Sequence, residues 1–332
     1  MKRKALTVSI SLLVPVILGY AAVMWCSQPP GGGKECEFTV ESGWGASRIS
    51  EVLSDSGLVR CRFYLLWRYS RMDGSLPLQA GTYRLDDSMS PDSILALLSH
   101  GEVIPVKTSW VTLVPGLTLE QSLDVIAEET NITRNTLDSL SADSIFLSKS
   151  GLQSLEGYLF PETYELADTL EAEEILSRII ETGRNRWPEN TDELLKITGL
   201  TLRQTIILAS IVEREARVDS ERAVIAGVFL SRIRRGMKLE SCATVQYALG
   251  EVKETLLYSD LEIESPYNTY IHEGLPPGAI CSPGLPSINA SFHPDTTGRY
   301  LFFVSKNDGT GTHLFAGTHT GHLSNIRSIN NR

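Results

Sequence analysis

The chain has 332 residues, 42% hydrophobic and 21% charged, so it can bury one or two cores and is too apolar for wholesale disorder. Its formal charge of −10 argues against a duplex-binding protein, which would carry a basic footprint, and no nucleic-acid partner is expected. None of the five cysteines forms a CxxC pair, which argues against a structural zinc site.

Lys2, Arg3 and Lys4 precede an uncharged run from Ala5 to Trp25, rich in Leu, Ile, Val and Ala. Roughly 20 apolar residues cross the hydrocarbon core of a bilayer, and basic residues ahead of the run predict an N-in orientation. Pro15 is tolerated in such a helix. No A-x-A site closes the run, and Val23, Met24 and Trp25 before Cys26 are too bulky for lipoprotein cleavage. The expectation is therefore a short cytoplasmic tail (1–4), a retained transmembrane anchor (5–25) and an exported remainder. Pro29, Pro30 and Gly31 to Gly33 make 26–35 a linker. Export would permit a disulfide between Cys36 and Cys61, with two buried thiols as the alternative.

Beyond the linker the pattern divides into a small unit, 36–106, and a larger one, 107–332. In the first, Phe38-Thr39-Val40 alternates as a strand, and Ser47 to Leu53 reads as a helix that Ser47 could cap, stopping near Gly57. Leu65 to Tyr69 is a second helical stretch, and Ala80 to Leu85 turns into a strand. Ser90 as N-cap with Pro91 at the first position starts a third helix, which Gly101 stops. The second unit opens with a strand at Val111 to Val114 and a Pro115-Gly116 turn. Thr118 then caps a helix bearing Leu119, Leu123, Ile126 and Ala127. The fold class is α+β.

The segment Thr201 to Arg217 reads as an amphipathic helix at 100° per residue. Ile207, Leu208, Ile211, Val212 and Ala216 form one apolar face, and Glu215 falls inside it. A carboxyl there loses hydration, which raises its pKa and suits it to general-acid work. Glu213 lies on another face, with Arg217 four residues on at the spacing of an exposed ion pair. The bland alternative is that Glu215 only marks the end of the helix.

Longer blocks carry a resemblance. Leu155 to Tyr164 resembles EGYLFPDTY, and Leu208 to Glu215 resembles ASIVEKE. Val228 to Leu239 resembles VFxNRLxxGMxL, Thr244 to Gly250 reads TVQYALG, and Ser265 to Gly278 carries SPYNTY and GLPPG. Gly311, His313, Phe315, Thr318 and His322 follow GxHxFSxTxxEHN. In this order the blocks resemble the endolytic murein transglycosylase family, also called MltG or YceG-like. Departures fall at Ser231, Glu240, Cys242, Ala243, Gly321 and Leu323.

The resemblance implies a LysM-like subdomain at 36–106 and a YceG-like catalytic domain at 107–332. It implies a lyase that cleaves the bond between N-acetylmuramic acid and N-acetylglucosamine without water, the muramic C6 hydroxyl attacking to leave a 1,6-anhydro end. Glu215 maps onto the catalytic glutamate. Gln246 is suited to hold an N-acetyl group or to orient Glu215, and Tyr267, Asn268 and Tyr270 to contact the sugar. A helix-cap or core amide remains the alternative for Gln246, and ordinary core tyrosines for Tyr267 and Tyr270. Glu213, His313 and His322 are expected to support the site. His313, His319 and His322 match no strong metal spacing, so neither metal nor cofactor is expected. Arg232, Arg234, Arg235 and Lys238 read as a solvated helix face or a patch for glycan carboxylates. Peptidoglycan strands are the implied partner, with peptidoglycan synthases beside them. A non-catalytic glycan-binding scaffold and a hydrolytic muramidase remain compatible with the residues.

Overall fold

A computed structural model describes residues 17–72, 77–105, 107–253 and 256–331. The first part of the anchor expected at 5–25 lies outside these residues. Its end forms an apolar helix, α1 (Ile17–Ser27), and no single helix among the described residues is long and apolar enough to cross a membrane. The chain divides into two units, Met1–Val106 and Lys107–Arg332.

In the first unit, β1 (Glu35–Val40) pairs antiparallel with β2 (Gly81–Asp86), Phe38 opposite Tyr83. The period-two alternation puts Phe38, Val40, Tyr83 and Leu85 on one face. That face packs against α2 (Ala46–Asp55), α3 (Arg62–Arg71) and α4 (Pro91–His100), which contribute Ile49, Leu53, Leu65, Ile94, Leu95 and Leu98. Helix α4 starts and stops where its signals lie: the Ser90 hydroxyl accepts from the Ser93 amide at 3.1 Å, and Gly101 is left-handed at φ 69°. Helix α2 departs from expectation, because its N-cap is Gly45 and Ser47 sits in the first turn. All five cysteines are free thiols, and Cys61 bonds to the thiol of Cys26, so no Cys36–Cys61 bridge is present.

The second unit is largely helical. The antiparallel pair β3 (Thr108–Thr112) and β4 (Thr163–Ala167) backs onto α5 (Leu119–Glu129), α6 (Arg134–Ser141), α7 (Ser144–Lys149) and α8 (Ala172–Arg184) through Val111, Leu123, Ile126, Leu137, Tyr164 and Ile179. Thr118 and Gln121 form a capping box at the start of α5. Then follow α9 (Thr191–Thr198), α10 (Leu202–Glu215), α11 (Asp219–Arg234), α12 (Cys242–Leu249), a short 3-10 turn (Asp260–Glu262) and α13 (Leu285–Phe292). The hairpin β5 (Phe302–Ser305) with β6 (His313–Ala316) and the final helix α14 (His319–Asn330) complete the unit. The apolar stripe read on α10 is the buried one: Ile207, Leu208, Ile211, Val212 and Ala216 pack with Ile225, Ala226, Phe229 and Leu230 of α11. The architecture is mixed α+β.

Candidate active site

Helix α10 carries the candidate carboxyl at its last turn. A capping box of Thr201 and Gln204 fixes its start, and Ala216, extended at ψ 126°, ends it, so Glu215 is the last helical residue. The middle of the helix is pinned by Ser210, whose hydroxyl accepts from the Ile280 amide at 3.0 Å. Glu215 thus stands at one fixed point of a cleft of about 560 Å³ lined by Pro115, Gly116, Arg214, Cys242, Gln246 and Lys253, among others.

The start of α12 faces this carboxyl. The Ser241 hydroxyl, at the N-cap, donates to Glu215 Oε1 at 2.5 Å. The Ala243 amide of the first turn donates as well. A helix N-terminus stabilises negative charge, so these groups favour the carboxylate, helped by nearby Arg214 and His313. Burial acts in the other direction and prevails: it holds the Glu215 carboxyl above the ordinary carboxylate range. The site therefore offers a carboxyl that keeps its proton more readily than usual, with donors already in place for the anion it leaves.

Glu213 is engaged elsewhere. The spacing to Arg217 has no consequence, because the helix stops at Glu215. Glu213 instead meets Arg222 of α11 at 3.4 Å, side chains 10% and 12% exposed, and accepts from the Gly284 amide at 2.9 Å. The pair is largely buried, and it ties α10 to α11 and to the start of α13.

The other expected residues divide. Gln246 lines the Glu215 cleft, its amide nitrogen donating to the Lys253 carbonyl at 2.8 Å. Tyr270 lies by the same carboxyl, its hydroxyl 3.2 Å from the Cys242 thiol, and burial raises its pKa. His313 opens β6, where its ring and backbone amide both meet the Glu221 carboxylate of α11, the ring at 2.8 Å. Tyr267 packs on Tyr247 with ring centroids 4.8 Å apart, in a neighbouring part of the groove. Asn268 is fully buried; its amide donates to the Leu261 and Ile263 carbonyls and accepts from the Tyr270 amide, so it shapes the loop that presents Tyr270. His322 stacks on Phe302 at 5.3 Å and does not line the Glu215 cleft.

The basic cluster is not one solvated face. Arg232 is 7% exposed and donates to the carbonyls of Leu301, Lys238 and Leu239 and to Glu240. Arg234 caps the end of α9 through the Ile197 and Thr198 carbonyls. Arg235 and Lys238 are exposed.

Four participants escaped the sequence reading. Ser241 lies 26 residues from its partner Glu215, and α11 brings Arg222 to Glu213 of α10 and Glu221 to His313 of β6. Glu156, inside the quoted EGYLFP-like block, is 8% exposed and accepts from the Leu119 amide and the Tyr247 hydroxyl. Burial pushes its carboxyl up to about 7.

An endolytic murein transglycosylase of Bacillus subtilis (strain 168) is 32% identical over 286 residues, which are 81% of this chain and 78% of that protein. One from Streptococcus pneumoniae serotype 2 (strain D39 / NCTC 7466) is 28% identical over 297 residues, 80% of this chain but 53% of its own length. The crystal structure of a YceG-like protein from Listeria monocytogenes superposes with a TM-score of 0.57 at 28% identity, covering 88% of this chain and 99% of that one. The YceG-like family model matches residues 38–328, and the chain belongs to the YceG-like family.

Proposed function

We propose that this chain is an endolytic murein transglycosylase, which cuts peptidoglycan strands between N-acetylmuramic acid and N-acetylglucosamine with Glu215 as acid and base. The observation that carries the reading is the contrast at the end of α10. Glu215 faces the cleft with its proton held by burial, while Glu213 is committed to Arg222 and Gly284. An ordinary glycosidase requires two working carboxyls. One suffices when the nucleophile belongs to the substrate. Glu215 protonates the glycosidic oxygen as the C1–O bond breaks, and Ser241 and the Ala243 amide stabilise the resulting carboxylate. The C6 hydroxyl of the same muramic residue attacks C1, and its proton returns to Glu215, leaving a 1,6-anhydro end. The intramolecular nucleophile has the effective-molarity advantage of a tethered group over water. The names of the Bacillus and pneumococcal relatives support the same reading.

In this reading Gln246 and Tyr270 contact the sugars at the cleavage point, and Tyr267 contacts them further along. The apolar helix Ile17–Ser27 is the end of a single-pass, N-in anchor in the cytoplasmic membrane, with the catalytic unit on the outer side. The unit 36–106 acts as a LysM-like glycan-engaging module, and synthases that make nascent strands are the partners.

The test is digestion of purified peptidoglycan by the detergent-solubilised chain and its Glu215→Gln variant, with products read by mass spectrometry. Anhydro products, one water lighter than hydrolytic ones, are expected from the parent. The variant should lose roughly 10²–10⁴-fold in rate, the usual worth of general acid–base catalysis. Reducing-end products would mean a hydrolase; an undiminished rate in the variant would remove Glu215 from the chemistry.

A further inference from the structure

The Glu215 cleft is one segment of a longer groove. It shares Arg214, Ala243, Gln246 and Val252 with a second cavity of about 480 Å³. That cavity in turn shares Ser154, Glu156 and Tyr247 with a third, of about 620 Å³. Between the lining residues Glu156 and Tyr158, Gly157 is left-handed at φ 88°, and a Cβ there would lie 2.5 Å from the Ala279 methyl, so the Glu156 loop can close on the 278–280 segment only with glycine.

The far segment has its own chemistry. Tyr158, Trp187, Tyr247 and Tyr267 supply ring surface, and two guanidinium groups, Arg184 and Arg203, supply charge. Each is held by one backbone carbonyl, Arg184 by Ser150 and Arg203 by Pro277. A guanidinium has five N–H donors, so one such anchor fixes its direction and leaves others for a ligand. Neither forms an ion pair among the described residues, although the chain is acidic overall. Both line the same cavity as Tyr158 and Tyr267, and both favour the ionised form of the Tyr158 hydroxyl. The one carboxyl in the lining, Glu156, already accepts from Leu119 and Tyr247.

We infer that the Arg184–Arg203 end of the groove is a subsite for a carboxylate of the peptide stem on the glycan strand, at a muramic residue distant from the bond cut at Glu215. The inference rests on the proposed substrate class. In an intact strand the lactyl carboxyl of muramic acid is tied up in the amide to the stem, so the free carboxylates are those of the peptide. The guanidinium fork of an arginine matches a carboxylate, two of them line this cavity, and the aromatic lining suits the apolar faces of the sugars leading to it. The enzyme would on this basis distinguish peptide-bearing strands from stripped ones by affinity, apart from the chemistry at Glu215.

The test is binding, so it needs no turnover. The full-length chain carrying Glu215→Gln is titrated by calorimetry with a peptide-bearing glycan tetrasaccharide and with the same fragment after methyl esterification of its carboxyls. The charged fragment should bind at least tenfold more tightly. Adding Arg184→Gln and Arg203→Gln should remove that difference and leave affinity for the ester within twofold. Equal affinity for the two fragments in the Glu215→Gln protein, including no binding of either, overturns the subsite without any change at the arginines. Equal weakening of both fragments by the arginine substitutions also overturns it. The product assay on the parent chain is separate: reducing ends there would sink the proposed reaction and leave this comparison standing.

Discussion

On the proposed mechanism Glu215 first gives a proton and then accepts one, which needs opposing influences on its carboxyl, and both are present. Burial favours the neutral acid, while the Ser241 hydroxyl and the Ala243 amide favour the anion. Ser241 therefore has a predictable kinetic signature. It donates to the charged form, so Ser241→Ala should raise the Glu215 pKa further. A general acid works while protonated, and activity falls as pH rises through its pKa. The high-pH limb of the kcat/KM profile should accordingly move to higher pH in the variant, with the turnover number falling because the departing anion is less stabilised. A high-pH limb that stays in place, measured by anhydro-product release across the pH range, would show that Ser241 does not act on the Glu215 carboxyl during turnover.

At the scale of elements, the last turn of α10 has to be held still, and the Glu213–Arg222 pair does much of this. Arg222 also donates to Asp219 at 2.9 Å and to Ser287 at 2.5 Å, so one side chain joins α10, α11 and α13. Removing one partner of a largely buried pair leaves an uncompensated charge, and Arg222→Ala should destabilise by about 3 kcal/mol. Changing Glu213→Gln as well should recover part of the loss, because the orphaned charge is gone. Chemical denaturation of the parent and the two variants checks this, and a double variant no more stable than Arg222→Ala would count against the buried-charge explanation.

Most capping signals are legible in the linear pattern because they act locally, Ser47 being the exception, since Gly45 caps α2. Ser90, Pro91 and Gly101 frame α4, Thr118 caps α5, and the stripe containing Glu215 follows from helical period alone. What the sequence could not show depends on where chains meet. Arg217 has the right spacing to Glu213 but lies beyond the helix end, and Arg222 is the partner because α11 packs beside α10. In a linear reading Asn268 looks like a sugar contact and Arg232 like part of a solvated face or a patch for glycan carboxylates. In the fold their hydrogen bonds go to backbone carbonyls that loops bring to them. Ser241 and Glu156 had no local signal, since their roles come from partners 26 and 37 residues away.

For the whole molecule, the consequence lies in how stability responds to pH. Several buried groups contribute, and with opposite signs: burial raises Glu156 and Glu215 but lowers His322. Glu156 is the one for which a window can be drawn. Its carboxyl is pushed from an ordinary 4.5 to about 7 in the folded chain. The folded state thus holds that proton more tightly than the unfolded state. The stabilisation is fully present below pH about 4.5 and is lost as pH rises through about 7. At 1.36 kcal/mol per pH unit the loss is about 3 kcal/mol. Glu156→Gln keeps the shape of the group, and an amide can still accept from Leu119 and meet the Tyr247 hydroxyl, but it has no proton to lose. The stability gap between variant and parent should therefore move by about 3 kcal/mol in the variant's favour between pH 4 and pH 8, whatever its starting value. Thermal midpoints should show it as roughly 2–4 °C per kcal/mol for a unit of this size. Because every other titrating group is common to both proteins, the difference isolates Glu156. Parallel pH curves for variant and parent would mean that Glu156 titrates alike in the folded and unfolded chains and that its burial in the groove wall costs the anion nothing.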